Sequence, residues 1–392
     1  MRRFLLPLLL VGCGSDRSPG ASALADHLVA TEDFRIGADA VDLTGASWML
    51  VRDDGSIFIP QSKDNLIKVI APDTTVSTIG RSGEGPGEFS RLTRIGWIGD
   101  SIWTLDPSLK RVTIFGPDFD MVRSFPEPHT VSQGADGSGS DSSSFEVYPQ
   151  ALLPGGGMRI LVSFRFGLRL PAWSPPVDSG VSLYVRTDQA GQFEEVLGEA
   201  PRNSCFVSYT FPKGMGSARR PICDQPLSTG WDGGAAVAYS STVHADSGSY
   251  YQVKLVDSEG ETVFERAIAF TPIPVTSEAT DSVLAAIAKA RGDLPPAIRD
   301  AMPTLEPDPT FPPVRRLVLG RDEGVWVEEE TRLPGHHWRY LDPTGQPRFS
   351  VDLPASVTLM AADSAHIWGT DEDTDGLLSV VRYRLEAAPD RP

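Results

Sequence analysis

A short phrase returns along this chain: a turn rich in Asp, Gly and Ser that runs straight into a strand with an apolar or aromatic start. It reads DDGSIFI at Asp53–Ile59, GDSIWTL at Gly99–Leu105, DEGVWV at Asp322–Val327 and DSAHIW at Asp363–Trp368, with weaker copies GGGMRILV at Gly155–Val162 and DGGAAVAY at Asp232–Tyr239. The strands of neighbouring clean copies open at Ile57 and Ile102, 45 residues apart, and at Val325 and Ile367, 42 apart. Second turns follow, as in APDTTV (Ala71–Val76), GPDFDMV (Gly116–Val122), TDQAGQF (Thr187–Phe193), VDSEGETV (Val256–Val263) and LDPTGQPRF (Leu341–Phe349). Asp, Pro and Gly suit them because they accept tight-turn dihedrals.

A four-strand unit with a period of about 40–50 residues cannot bury both its faces alone, whereas units stacked around an axis can. The expected fold is therefore all-β: a six-bladed β-propeller of four-stranded blades over residues 31–386. A five- or seven-bladed ring is the alternative, because the middle copies are degenerate. The last unit, Val357–Leu385, is one strand short, and the run Asp33–Ile36 precedes the first. Phe34–Ile36 is expected to supply the missing outer strand and close the ring, which removes exposed sheet edges.

The 37 glycines and 33 prolines fit many short strands joined by turns. Lys and Arg number 35 against 52 Asp and Glu, a formal charge of −17. That balance argues against a nucleic-acid partner, whose phosphates need a basic surface. Two stretches break the strand pattern. Residues 132–144, SQGADGSGSDSSS, hold no large apolar side chain and read as a mobile loop. In residues 277–302, Val283 and Ile287, then Leu294, Ile298 and Met302, recur every four positions, with Pro295-Pro296 between them. This predicts two short helices, read either as a cap packed on the ring or as a lid or partner-docking element.

The first residues, MRRFLLPLLLVGC, place Arg2 and Arg3 before an apolar run that is too short to span a bilayer, which takes about 20 residues. The shape is that of a secretory signal over residues 1–12. Leu10-Val11-Gly12-Cys13 resembles the bacterial lipobox, which implies cleavage before Cys13 and lipidation of its thiol; a plain signal peptide is the alternative. Residues 13–30 read as a flexible tether. Gly14 after the cysteine resembles the outer-membrane address of proteobacterial lipoproteins. Export leaves Cys205 and Cys223 as an even pair, and a disulfide between them is expected, with two buried thiols as the alternative.

The element Gly83-Glu84-Gly85-Pro86-Gly87-Glu88-Phe89 after the first unit, and LPPAIRDAMP with FPPVRRLVLGRDEGVWV in residues 294–327, carry a more specific likeness. With the lipobox upstream, the chain resembles the bacterial six-bladed β-propeller lipoproteins, relatives of NHL-repeat propellers, over nearly its whole length. The resemblance implies fold and cell-envelope location but no substrate.

Candidate chemistry is sparse. The glycine run lacks the Lys-Ser/Thr of a phosphate loop, and Glu84 and Glu88 would repel phosphate. Gly83, Gly85, Pro86, Gly87, Glu88 and Phe89 therefore read as structural, with Phe89 a plug between units. Asp371, Asp373 and Asp375 have the spacing of a calcium loop, but Arg382 stands where an EF-hand needs Glu; a solvated acidic hairpin is the rival reading. No cofactor is expected, calcium being the alternative. The histidines show no metal-ligand spacing, and no GxSxG elbow occurs.

Three functions remain in view. The first is a lipid-anchored envelope module, monomeric, binding a protein or small molecule on a propeller face and touching the membrane only through its anchor. The second is a metal-dependent lyase, lactonase or hydrolase with a site on the central axis. The third is a scaffold in an envelope complex.

Overall fold

The computed structural model describes residues 26–127, 145–153, 157–164, 181–201, 205–212, 214–230, 237–245, 248–292 and 294–387. The signal, Cys13, Gly14, most of the tether and the 132–144 loop lie outside the described residues.

The chain opens with β1 (Asp26–Ile36) and the single turn α1 (Ala38–Val41). Four antiparallel sheets of four consecutive strands follow the repeat. They are β2 (Leu50–Val51), β3 (Ile57–Gln61), β4 (Leu66–Ile70) and β5 (Val76–Ile79); β6 (Arg94–Ile98), β7 (Ser101–Asp106), β8 (Arg111–Phe115) and β9 (Met121–Pro126); and β10 (Phe145–Leu152), β11 (Met158–Phe164), β12 (Val181–Thr187) and β13 (Phe193–Pro201). A two-stranded hairpin, β14 (Phe206–Phe211) and β15 (Gly214–Arg219), precedes the fourth sheet, β16 (Leu227–Gly230), β17 (Val237–Ala245), β18 (Gly248–Val256) and β19 (Thr262–Phe270). Helices α2 (Ser277–Gly292) and α3 (Pro296–Arg299) come next.

The remaining strands form one eight-stranded sheet. Four are β20 (Val314–Leu319), β21 (Val325–Glu329), β22 (His336–Leu341) and β23 (Pro347–Leu353); three are β24 (Val357–Ala362), β25 (His366–Glu372) and β26 (Leu378–Ala387). The eighth is β1. It pairs antiparallel with β26, Ile36 opposite Val380 and Phe34 opposite Arg382, and joins the two halves through a short parallel pairing of Asp26–Leu28 with Phe349–Val351. The N-terminal strand thus does supply the outer strand of the last unit. It starts earlier than expected, at Asp26 rather than after residue 30, because the long β26 and the outer edge of β23 offer partners to those extra amides.

Side-chain chemistry of the turns explains the repeat. Asp188, Asp257 and Asp342 each accept, on one carboxylate oxygen, the backbone amides two and four residues on, at 2.8–3.0 Å. An Asp that satisfies two turn amides fixes the hairpin locally, so each unit encodes its own register.

Cores lie between successive sheets, giving a propeller-like arrangement. Leu50, Phe58, Phe89, Ile95 and Phe115 join the first two sheets. Trp103, Val112, Ile160 and Val185 join the second and third, and Tyr184, Leu197 and Val256 the third and fourth. Tyr251, Val253, Val325 and Leu341 carry the packing onto β20–β23. Trp326, Trp338, Leu359 and Tyr383 carry it across the halves of the large sheet. Val51, Ile59, Trp368 and Val380 return it to the first sheet. Trp103, Trp326 and Trp368, at one place in the repeat, are all buried in these seams.

The predicted helices form, but neither α2 nor α3 has a buried residue. Val283 and Ile287 are only half covered, and Leu284 is exposed. The two helices form a surface insertion, tied to each other by Arg291, which donates to the carbonyls of Arg299 and Met302. No described helix is long and apolar enough to cross a membrane.

The strand order has a directional consequence. Several connections from an outer strand to the next inner one are long, as in residues 37–49, 80–93 and 271–313 (354–356 is a short exception), while the turns at the far ends of inner strands are short, as at 52–56 and 363–365. Antiparallel order puts the long connections, with α2 and α3, on the face where the inner strands begin.

Candidate functional site

The glycine motif is built as a closed structural knot. Gly80, Gly83 and Gly87 have positive φ (73°, 153° and 73°). Glu88 turns back so that its carboxylate accepts from the Gly85 amide at 2.8 Å and from Arg81 at 2.8 Å, and these donors hold its pKa below the usual range. Arg111 of β8 donates to the carbonyls of Glu84, Gly85 and Glu88 at 3.2, 2.8 and 2.5 Å. Pro86 stands at the tip between those contacts, and Phe89 is fully buried. A carboxylate from the loop itself occupies the donors that a phosphate would need, so the loop pins two sheets together.

The acidic hairpin is also accounted for by local bonds. Asp371 accepts from Arg35 of β1 at 2.6 Å. Asp373 accepts the amides of Asp375 and Leu377, both at 2.9 Å, the same turn chemistry as Asp342. Asp375 is exposed. In this structure a guanidinium takes one of these carboxylates and two turn amides the next. No group of three or more His, Cys, Asp and Glu side chains suited to a metal occurs among the described residues.

Cys205 and Cys223 are joined by a disulfide that closes the connection carrying β14 and β15. Just beyond it, Asp308, from the connection that carries α2 and α3, takes a donor from Arg220 and the Asp224 amide at 2.8 Å, tying two long connections together.

Sequence spacing did not expose the axis. A cavity of about 110 Å³ is lined by Trp48 and Met49 at the start of β2, Thr229 of β16, Arg316 and Leu317 of β20 and Met360 of β24. These residues come from three separate sheets, one of them the eight-stranded sheet. Arg316 donates to the carbonyl of Leu359 at 2.9 Å and lies 5.7 Å from the Trp338 ring. Burial lowers its pKa from the usual guanidinium value. The Arg94 guanidinium lies 5.4 Å from the centre of the Trp48 ring and also donates to Gln150 at 3.1 Å. A wider recess of about 530 Å³ beside it is lined by Arg94, Tyr148, Gln150 and Glu127, whose carboxyl burial pushes up.

A second polar group sits in a recess of about 220 Å³ between β18–β19 and β21–β22. Glu329 receives two bonds from Arg339, at 2.9 and 3.0 Å, and the hydroxyl of Tyr251. His337 contacts Asp352 at 2.6 Å and lies 3.7 Å from Glu329. Burial, then the Glu329 charge, raise the Tyr251 pKa well above its ordinary value, which keeps the phenol protonated. The His336-His337 pair is therefore divided among three carboxylates, Glu328 for His336 and Glu329 and Asp352 for His337, rather than directed at one ligand.

On the opposite face, short turns of different sheets meet around Arg321, which reaches Asp53 at 2.9 Å and Asp363 at 3.3 Å and lies 5.2 Å from the Trp368 ring. These ion pairs lace the large sheet to the first.

No protein-family model and no curated protein matches the chain. Among solved structures it is similar to a member of the DUF4221 family from Bacteroides vulgatus, at 8% identity and TM-score 0.43, covering 95% of this chain and 100% of that one. It is also similar to regucalcin, a calcium-binding protein from Agrobacterium tumefaciens, at 10% identity and TM-score 0.39, covering 93% and 98%. A third similar structure is virginiamycin B lyase from Staphylococcus aureus, at 10% identity and TM-score 0.32, covering 91% and 89%. Likenesses of this degree transfer no activity and no site residue.

Proposed function

We propose that this chain is a lipid-anchored envelope protein whose six-bladed propeller binds a ligand at the face bearing the long connections. The blade count treats each half of the eight-stranded sheet as one four-stranded blade, β1 being the fourth strand of the last. The lipobox at Leu10–Cys13 and Gly14 support the anchor and an outer-membrane location, as does the resemblance to propeller lipoproteins.

The observation that carries the binding role is the composition of the axial cavity. Its lining offers an indole, a guanidinium, the hydroxyls of Ser47 and Thr229 and apolar side chains, with no Asp, Glu or His among the described lining residues. An axial metal site would need such ligands from several blades; an aromatic wall with a few polar groups is the usual make-up of a ligand pocket.

The test is a thermal-shift screen of small molecules on the mature chain starting at Gly14, run beside Trp48→Ala. Compounds that raise the melting temperature of the wild type but not of the variant are expected. Shifts of equal size in both proteins would sink the assignment of the site. The anchor is tested separately: Cys13→Ser should lose labelled palmitate and move to the soluble envelope fraction.

A further inference from the structure

We propose that the axial cavity is an anion clamp, taking a single small oxyanionic group such as a carboxylate or a phosphate, with Arg316 as its principal donor and Trp48 as its wall. This rests on the binding role proposed above and names the chemistry of that site.

Three observations converge. First, among the described residues the only hydrogen bond of Arg316 is from Nη2 to the carbonyl of Leu359, so its remaining donors are available to the cavity that its side chain lines. An Arg fork with free N–H groups matches planar carboxylates and tetrahedral phosphates. Second, the indole Nε1 of Trp48 is buried in the same lining and has no hydrogen-bond partner among the described residues. A buried donor left unpaired is costly, so a small rotation of the indole toward a bound anion would be favoured. Third, the local charge runs against the molecule. The chain carries −17 overall, yet this lining holds a guanidinium and no described carboxylate, and Arg94 sets a second positive charge against the Trp48 ring.

The carboxylate nearest in the ladder is Glu328, directly opposite Arg316. Its Oε1 is engaged by His336 at 2.7 Å and by Arg315 at 3.6 Å; its charge still acts on Arg316, but no ion pair joins the two among the described residues, so a bound anion would compete with Glu328 for that guanidinium. Size supplies the last limit. A cavity of about 110 Å³ has room for one such group beside Arg316.

The experiment titrates the mature chain with sodium phosphate and with sodium acetate, chloride holding the ionic strength constant, read by calorimetry and by tryptophan fluorescence. Wild type should bind at least one of the two saturably. Arg316→Met should weaken that binding by about tenfold or more, as expected for losing a charge-assisted donor pair. Arg316→Lys should retain part of it, and Trp48→Phe should abolish the fluorescence change. Should Arg316→Met fail to fold, Thr229→Val and Arg316→Lys carry the comparison. Absence of saturable binding by wild type, or equal binding by the Arg316 variants, overturns the clamp. A panel of neutral fragments runs alongside. Neutral ligands that bind through Trp48 while both anions fail would overturn the clamp and leave the binding role standing; failure of both classes would overturn both.

Discussion

Gly80→Ala isolates what the glycine motif does. Gly80 has φ +73°, and a Cβ there would lie 2.2 Å from Cε2 and 2.7 Å from Cδ2 of Phe89, with the Gly87 carbonyl at 3.2 Å. Phe89 cannot retreat, since its ring is fully buried and packs 5.8 Å from Phe115. Two costs add. Holding alanine in the left-handed region takes about 1 kcal/mol, and forcing a methyl into a filled core takes about 1–3 kcal/mol more. The expected loss is thus about 2–4 kcal/mol, read as a lower urea midpoint at unchanged slope. Gly99→Ala is the internal control, because Gly99 also has positive φ, +57°, yet meets nothing within 4 Å. It should show the backbone cost alone, about 1 kcal/mol. In a Phe89→Ala background the ring is gone and only the 3.2 Å approach to the Gly87 carbonyl remains, so Gly80→Ala should cost clearly less there than in wild type. Equal effects of Gly80→Ala in both backgrounds, or equal effects of the two glycine substitutions in wild type, would refute the packing argument.

Two further outcomes follow from the same structure. A chain beginning at Gly37 lacks β1 and bares the outer edges of β23 and β26, so it should self-associate in size-exclusion chromatography; a stable monomer would show that β1 does not protect those edges. Burial acts to raise the Asp342 pKa, but bonds from Thr344, the Gln346 amide and Arg348 outweigh it and lower it from 3.8 to about 2. Its stabilisation is therefore full above the unfolded value and is lost as pH falls through about 2. Asp342→Asn should flatten the stability profile between those values, and a profile parallel to wild type would count against the assignment.

What the sequence makes legible is local. Each Asp-initiated turn fixes its own hairpin within five residues, so the repeat, the turns and the strand units read straight from the residues, as does the need for a closing strand at Phe34–Ile36. The axis is not local. Which side of an inner strand faces the cavity depends on register, and β-bulges shift that register between Val314 and Arg316 and between Leu359 and Ala361. Alternation counted from sequence slips by one residue at each bulge, which hides Arg316 and Met360. Trp48 precedes its strand and carries no alternation at all. Asp371, Asp373 and Asp375 are ambiguous in the opposite sense: their spacing is the same for a cation loop and for an Asp turn, and the structure adds the contacts with Arg35 and the turn amides.

The direction of β1 ties the proposed anchor to the proposed site. β1 runs as an outer strand toward the face with the long connections, since its C-terminal end leads through residues 37–49 to β2 and Trp48. Its first residue, Asp26, therefore lies away from that face, on the outer rim where β1 meets Phe349 of β23. A chain held at Cys13 would hang from this rim by residues 13–25, a reach of at most about 45 Å if fully extended. On the proposed anchoring, the tether would depart from the side opposite the mouth carrying Trp48 and Arg94. The pairing of Asp26–Leu28 with Phe349–Val351 fixes where the described chain begins on that rim. Shortening residues 14–25 should then leave anion binding unchanged, whereas a loss of binding on shortening would mean that the tether crosses the ligand face.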